Sequence, residues 1–133
     1  MWFITRDTFR LSVRLLFVCV GNTCRSQMAE SLARDLGHEA ASAGTNARGN
    51  VNVAEYALEV LREIGVDASG QYPKSVDTID TTGFDRIISM GCGVECPTLS
   101  MDVDWGLDDP IGEGIEVYRE TRDRILENLT GLS

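Results

Sequence analysis

The sequence predicts an α/β fold, one domain with a parallel sheet covered by helices on both faces, and three observations support it. The chain has 133 residues, enough for one core of four or five elements and too few for a second substrate domain. Apolar runs of strand length alternate with segments whose apolar residues recur at helical spacing, the pattern of parallel strands joined by crossover helices. The composition, 43% hydrophobic and 25% charged, is that of a folded chain and is too apolar for a disordered one.

Residues 1–12 mix Arg, Thr and aromatic side chains without a clean period and read as an extension ahead of a domain at 13–133. Residues 13–20 are a short apolar run ended by Gly21, as expected of a buried strand. Residues 26–36 put Met28, Ala29, Leu32, Ala33 and Leu36 on one helical face, with Ser26 as the candidate N-cap and Gly37 as the stop. A second strand is expected at 39–45 and a second helix at 53–64, closed by Gly65. The stretch 66–83 reads as loop, with Pro73 and a short helix at 75–79; a third strand follows at 84–90 and a fourth at 101–105. A last helix at about 113–129 carries Ile115, Val117, Tyr118, Ile125, Leu126 and Leu129 on its apolar face. In folds of this class, ligands bind at the carboxyl ends of the strands.

Charge and composition exclude several functions. Twenty-one acidic residues against 12 basic ones leave a net charge of −9, the wrong sign for a nucleic-acid surface. One histidine, His38, is too few for multi-His zinc catalysis and sits beside Gly37 as a helix-end or surface residue. Arg6, Arg10 and Arg14 interrupt the apolar N-terminal region and no small-residue cleavage site follows, so neither a signal peptide nor a membrane span is expected and the chain reads as cytoplasmic. Eleven arginines accompany a single lysine, Lys74, and this acid-rich, lysine-poor surface suits a halophilic, salt-rich cytosol. In a reducing cytosol Cys19, Cys24, Cys92 and Cys96 point to catalysis, redox chemistry or metal binding.

Between the first strand and the first helix runs Cys19-Val20-Gly21-Asn22-Thr23-Cys24-Arg25-Ser26, a C-x5-R-S loop. A short loop entering a helix N-terminus turns backbone N–H groups inward and adds the positive end of the helix dipole, a cradle for a tetrahedral oxyanion. Gly21 and Asn22 tolerate the left-handed dihedrals this needs, and Arg25 can offer a bidentate fork. The same field favours the thiolate of Cys19 and makes it a nucleophile. The candidate oxyanion-binding residues are therefore Gly21, Asn22, Thr23, Cys24, Arg25 and Ser26, with the Cys24 thiol itself a bystander. A competing reading gathers the four cysteines into a zinc site, which would leave Arg25 without a role.

The run VCVGNTCRSQMAESL at 18–32 resembles the phosphate-binding loop of the low-molecular-weight protein tyrosine phosphatases and of the thioredoxin-coupled arsenate reductases on the same fold. The resemblance continues through Ser42-Ala43-Gly44-Thr45, Lys74-Ser75-Val76-Asp77 and Asp108-Asp109-Pro110. It implies a single-domain, flavodoxin-like sandwich with a four-stranded parallel sheet. It implies Cys19 as nucleophile, Arg25 as oxyanion clamp and Asp109 as proton donor. Asn22, Glu30 and Ser42 match residues with which some members hold potassium, but Lys74 stands where an Asp would be, so no metal is expected.

Within the resemblance, three features favour the reductase. Arsenate reduction consumes two electrons, which thiols must supply. By resemblance to the reductases, Cys92 attacks Cys19 and Cys96 resolves the product as a Cys92–Cys96 disulfide. A disulfide needs Cα atoms about 4.4–6.8 Å apart, and residues four apart reach about 6 Å only in a helical turn, so the segment must coil. Gln27 follows Arg25-Ser26 where the phosphatases usually carry Pro. Ile111-Gly112-Glu113-Gly114 follows Asp109-Pro110, where phosphatases commonly carry tyrosines that grip a phenyl phosphate. Trp105 is expected to be a packing residue. The implied reaction uses no bound cofactor, an external thiol reductant (thioredoxin or equivalent), arsenate as substrate and phosphate as competitor. The alternative is phosphomonoester hydrolysis through phosphocysteine.

Overall fold

The computed structural model describes residues 13–47, 49–91 and 101–132. The expected extension at 1–12 and the cysteines Cys92 and Cys96 lie outside the described residues. Four parallel strands, β1 (Arg14–Cys19), β2 (Glu39–Gly44), β3 (Arg86–Ser89) and β4 (Val103–Asp104), form one sheet in the order β2-β1-β3-β4. Among the described residues three α-helices accompany it: α1 (Arg25–Asp35), α2 (Glu55–Arg62) and α3 (Ile115–Thr130).

β1 is the central strand, and its sequence shows why. Leu15, Leu16, Phe17 and Val18 are all fully buried, because apolar side chains on both faces meet a covering layer. Leu15 and Phe17 face a cluster containing Met28, Ala29, Leu32 and Ala33 of α1, Ala57, Val60 and Leu61 of α2, and Tyr118, Ile125 and Leu129 of α3. Leu16 and Val18 face the other side with Ala43 and Val76. Among the described residues that side is closed by the 3-10 turn Val76–Thr78, through Val76, and by Ile79, Phe84 and Met101. The helix expected at 75–79 is thus a single tight turn, capped by Ser75 Oγ accepting from the Asp77 N–H at 3.1 Å. Trp105 packs as expected, its ring 5.6 Å from that of Phe17.

Helix ends follow from local chemistry. Gly37 (φ 97°) and Gly65 (φ 81°) stop the chain at the expected places by taking left-handed conformations. α3 starts two residues later than expected, because the Glu113 N–H first closes a turn onto the Pro110 carbonyl at 2.9 Å. Glu63, just past α2, receives Arg119 and Arg122 of α3 at 2.6 and 2.8 Å and ties the two helices together. Arg119 holds the Glu63 carboxyl below its ordinary range.

The register fixes the site. Cys19 lies opposite Gly44 of β2, and Val18 opposite Ser89 of β3, so the chain leaves β1, β2 and β3 at one edge. Replacing the fully buried Phe17 by Ala should cost about 3–5 kcal/mol of stability, since it opens a cavity under all three helices. Urea unfolding of Phe17→Ala checks this; an unchanged midpoint would contradict the described core.

Candidate active site

The loop after β1 is shaped by where its carbonyls go. Cys19 O accepts from Thr45 N at 2.9 Å, Val20 O from Asn46 N at 2.9 Å, Thr23 O from Ala54 N at 2.8 Å and Cys24 O from Met28 N at 2.9 Å. Gly21 O accepts from Asn50 Nδ2 at 2.9 Å, and Asn22 O from Gln27 Nε2 at 3.0 Å. Each carbonyl of 19–24 is therefore held from outside the loop. A trans peptide points its N–H opposite to its C=O, which turns the loop's N–H groups inward. The Asn22 N–H is one of them and meets Cys19 Sγ at 3.1 Å.

Asn22 makes the turn possible. It is the one non-glycine residue with positive φ (57°) among the described residues, a conformation Asn tolerates better than most. Its side chain is fully buried. Asn22 Oδ1 accepts from the Lys74 backbone N–H at 2.9 Å, so Nδ2 must face Ser26, and it donates to Ser26 Oγ at 2.7 Å. Ser26 Oγ lies 2.8 Å from Cys19 Sγ and, having accepted from Asn22, has its own proton free for the sulfur. The expected N-cap role of Ser26 is therefore wrong. Cys24 occupies the cap position, with no side-chain cap, and Ser26 lies inside α1 facing Cys19. A capping hydroxyl would consume the N–H groups that the loop leaves pointing at a ligand.

Arg25 is buried and donates from Nη1 to the Leu107 carbonyl at 2.9 Å, while Nη2 lies 3.8 Å from Asp109 Oδ2, whose side chain is half exposed. A Cβ on Gly91 would sit 2.1 Å from Leu107 O and 2.5 Å from Arg25 Nη1, so only glycine fits there. Gly44 is needed for the same reason, a Cβ there coming 2.5 Å from Val20 O. The expected residues Cys19, Gly21, Asn22, Thr23, Cys24, Arg25 and Asp109 line one cavity of about 470 Å³, joined by Asn50, Asn52, Ala54 and Ile111. No aromatic side chain lines it among the described residues. Ser26 is reached through Cys19 and does not line the cavity itself.

Reading the sequence missed Gly91, Gly44, Leu107 and Asn50. The glycines are visible only once a neighbour's approach is known, and Leu107 contributes a carbonyl that every residue has. Cys24 behaves as a bystander: it is buried, 3.7 Å from the Tyr118 hydroxyl, and burial pushes its thiol up to about 11. Lys74 donates its ammonium to Tyr72 O at 3.1 Å; burial lowers its basicity, which nearby Glu30 opposes. The Glu30 carboxylate is itself held by Ser42 at 2.6 Å and Arg34 at 2.9 Å. Among the described residues no group of three His, Cys, Asp or Glu side chains could hold a metal, and no helix is long and apolar enough to cross a membrane.

A buried sulfur at an N–H-lined loop thus shares one cavity with a guanidinium and a carboxylate, a set of groups suited to holding a tetrahedral oxyanion. The chain belongs to the low molecular weight phosphotyrosine protein phosphatase family, which matches residues 14–133. It is similar to the glutaredoxin arsenate reductase of Synechocystis sp., with 35% identity over 124 residues, 90% of this chain and 95% of that protein. It resembles a solved arsenate reductase in the phosphate binding state, with a TM-score of 0.81 and 35% identity, covering 90% of this chain and 95% of the other. It also resembles the low molecular weight protein tyrosine phosphatase from T. tengcongensis, with a TM-score of 0.79 and 32% identity, covering 91% and 97%.

Gly91→Ala should weaken the binding of inorganic phosphate roughly tenfold or more, the scale of a displaced charge-assisted hydrogen bond, by calorimetric titration. Equal affinity would mean that Arg25 needs no such packing. The Cys24 thiol supplies a second expectation. In the unfolded chain it loses its proton near its ordinary value of 9.0; in the folded chain it keeps it to about 11. Between those values only the folded state holds the proton, so stability falls as pH rises, by roughly 1.4 kcal/mol per unit from this group. Urea unfolding between pH 8 and 10.5 should show a flatter decline in Cys24→Ala than in the wild type.

Proposed function

We propose that this protein reduces arsenate to arsenite, with electrons passed through thiols. The observation that carries the reading is the position of Gly91, packed against the Arg25 guanidinium: the residue before Cys92 is already at the oxyanion cradle. The end of β3 supports it, since Met90 N donates to Val18 O at 2.9 Å beside Cys19. The absence of an aromatic wall among the described lining residues suits a small inorganic anion better than a phenyl phosphate.

The loop N–H groups and Arg25 hold arsenate, and the Cys19 thiolate attacks arsenic. Asp109 gives a proton to the departing oxygen, which leaves as water. The Cys92 thiolate then attacks Cys19 Sγ; the sulfur–arsenic bond breaks, its electron pair stays on arsenic, and arsenite departs from a Cys19–Cys92 disulfide. Cys96 attacks Cys92, frees the Cys19 thiolate and closes a Cys92–Cys96 disulfide. An external dithiol of the thioredoxin type restores that pair, the protein working in the cytoplasm without a bound cofactor. Phosphate competes because the cradle reads tetrahedral charge and not the central atom.

Turnover of arsenate with a thioredoxin system tests the relay. Wild type should turn over, whereas Cys92→Ser and Cys96→Ser should fall to the background rate. Wild-type rates in both variants would remove the relay. If all three proteins hydrolyse p-nitrophenyl phosphate and none reduces arsenate, the enzyme is a phosphatase.

A further inference from the structure

Gln27, the third residue of α1, is fully buried; it anchors the Asn22 carbonyl, and the proposed chemistry gives it no further part. Its neighbours form a chain with a direction. Ser31 Oγ donates to Gln71 Oε1. Gln71 Nε2 donates to Gln27 Oε1 at 2.7 Å. Gln27 Nε2 donates to Asn22 Oδ1 at 3.0 Å, Asn22 Nδ2 to Ser26 Oγ at 2.7 Å, and the Ser26 hydroxyl is left to face Cys19 Sγ at 2.8 Å.

Each amide is pinned by a backbone group that cannot change its part. The Gln71 amide nitrogen also faces Gln27 O at 3.1 Å. The Gln27 nitrogen also faces Asn22 O at 3.0 Å and Tyr72 O at 2.9 Å, so it must be the donor end. The Asn22 oxygen faces the Lys74 backbone N–H at 2.9 Å, which can only donate. Reversing Gln27 or Gln71 would set oxygen against oxygen, and reversing Asn22 would set donor against donor, away from bulk water.

We propose that Gln27 is a positioning residue for the nucleophile, the centre of a one-way hydrogen-bond chain from Ser31 through Gln71, Gln27, Asn22 and Ser26 that ends in donation to the Cys19 thiolate. Aligned amides polarise one another, so donation to the sulfur strengthens when the links behind it are intact. Gln27 also meets the Asn22 backbone carbonyl; that contact survives in Asn22→Ala, so a double-mutant cycle with that variant subtracts it and reads only the side-chain relay. A carbon side chain of the same size would fill the space and transmit nothing. The proposal rests on Cys19 being the nucleophile, but not on which oxyanion is processed.

The test is a double-mutant cycle read on Cys19 itself, with wild type, Gln27→Leu, Asn22→Ala and the double variant. The rate of iodoacetamide alkylation at the Cys19 peptide is followed by mass spectrometry, with and without inorganic phosphate. Gln27→Leu should slow alkylation about fivefold in the wild-type background and by less than about 1.5-fold when Asn22 is already Ala, because coupled residues are non-additive. An equal slowing in both backgrounds, or none in either, overturns the proposal. Should circular dichroism find Gln27→Leu unfolded, Gln71→Leu takes its place in the same cycle under the same criterion. Phosphate protection of Cys19 in the wild type checks the site separately: its absence would unseat the nucleophile assignment, whereas protection with an additive cycle would remove only the role of Gln27.

Discussion

The outward anchoring of the carbonyls of residues 19–24 is the constraint on which the rest depends. A seven-residue loop presents N–H groups to an anion only if its carbonyls are satisfied elsewhere, since buried carbonyls without partners are costly. Four of the six outer partners, Thr45, Asn46, Asn50 and Ala54, come from the stretch between β2 and α2. That stretch takes little part in the chemistry and yet sets the loop's shape. It approaches closely enough only because residue 44 lacks a side chain, a Cβ there meeting Val20 O at 2.5 Å. The sheet register supplies the remaining condition by placing Gly44 opposite Cys19.

Periodicity was enough to read the elements and not their interiors. The run at 13–20 and the apolar spacing of 26–36 gave β1 and α1 within a residue, because burial on both faces or on one helical stripe leaves a pattern in the text. The fourth strand shrank to Val103–Asp104, as an edge strand with exposed residues leaves little pattern. Ser26 misled for a physical reason: a serine at a helix start is usually a cap, and the exception arises where the free N–H groups are the purpose of the helix end.

The candidate site divides in the same way. Cys19, Asn22 and Arg25 were legible from their residue types and spacing in the loop and Asp109 from the resemblance alone, and the structure brings all four to one cavity. Gly91 and Leu107 were not, since one acts through absence and the other through a carbonyl. Gln27 stood out because it follows Arg25-Ser26 where the phosphatases usually carry Pro, but its direction of donation depends on Tyr72, Gln71 and Lys74, residues 44 to 47 positions away, and only the fold brings these together.

Charge poses the sharpest problem, since a chain of net charge −9 has to accept an anion. Arg25 answers it through the choice of its partner. A buried arginine paired closely with a carboxylate would be oriented but neutralised, and releasing it to a ligand would strand a buried charge. Here the close partner is the Leu107 carbonyl at 2.9 Å, a dipole that fixes the guanidinium without cancelling it. Asp109 stands farther off at 3.8 Å and is half exposed, so water screens its charge and leaves its oxygen at the cavity. Inside the cavity, the guanidinium, itself buried, and the inward N–H groups act on a ligand at short range. The chain's other charges act through water and decay over about 8–10 Å at ordinary ionic strength. The local field therefore decides what binds, and that field is positive because the loop gave its carbonyls to the outside.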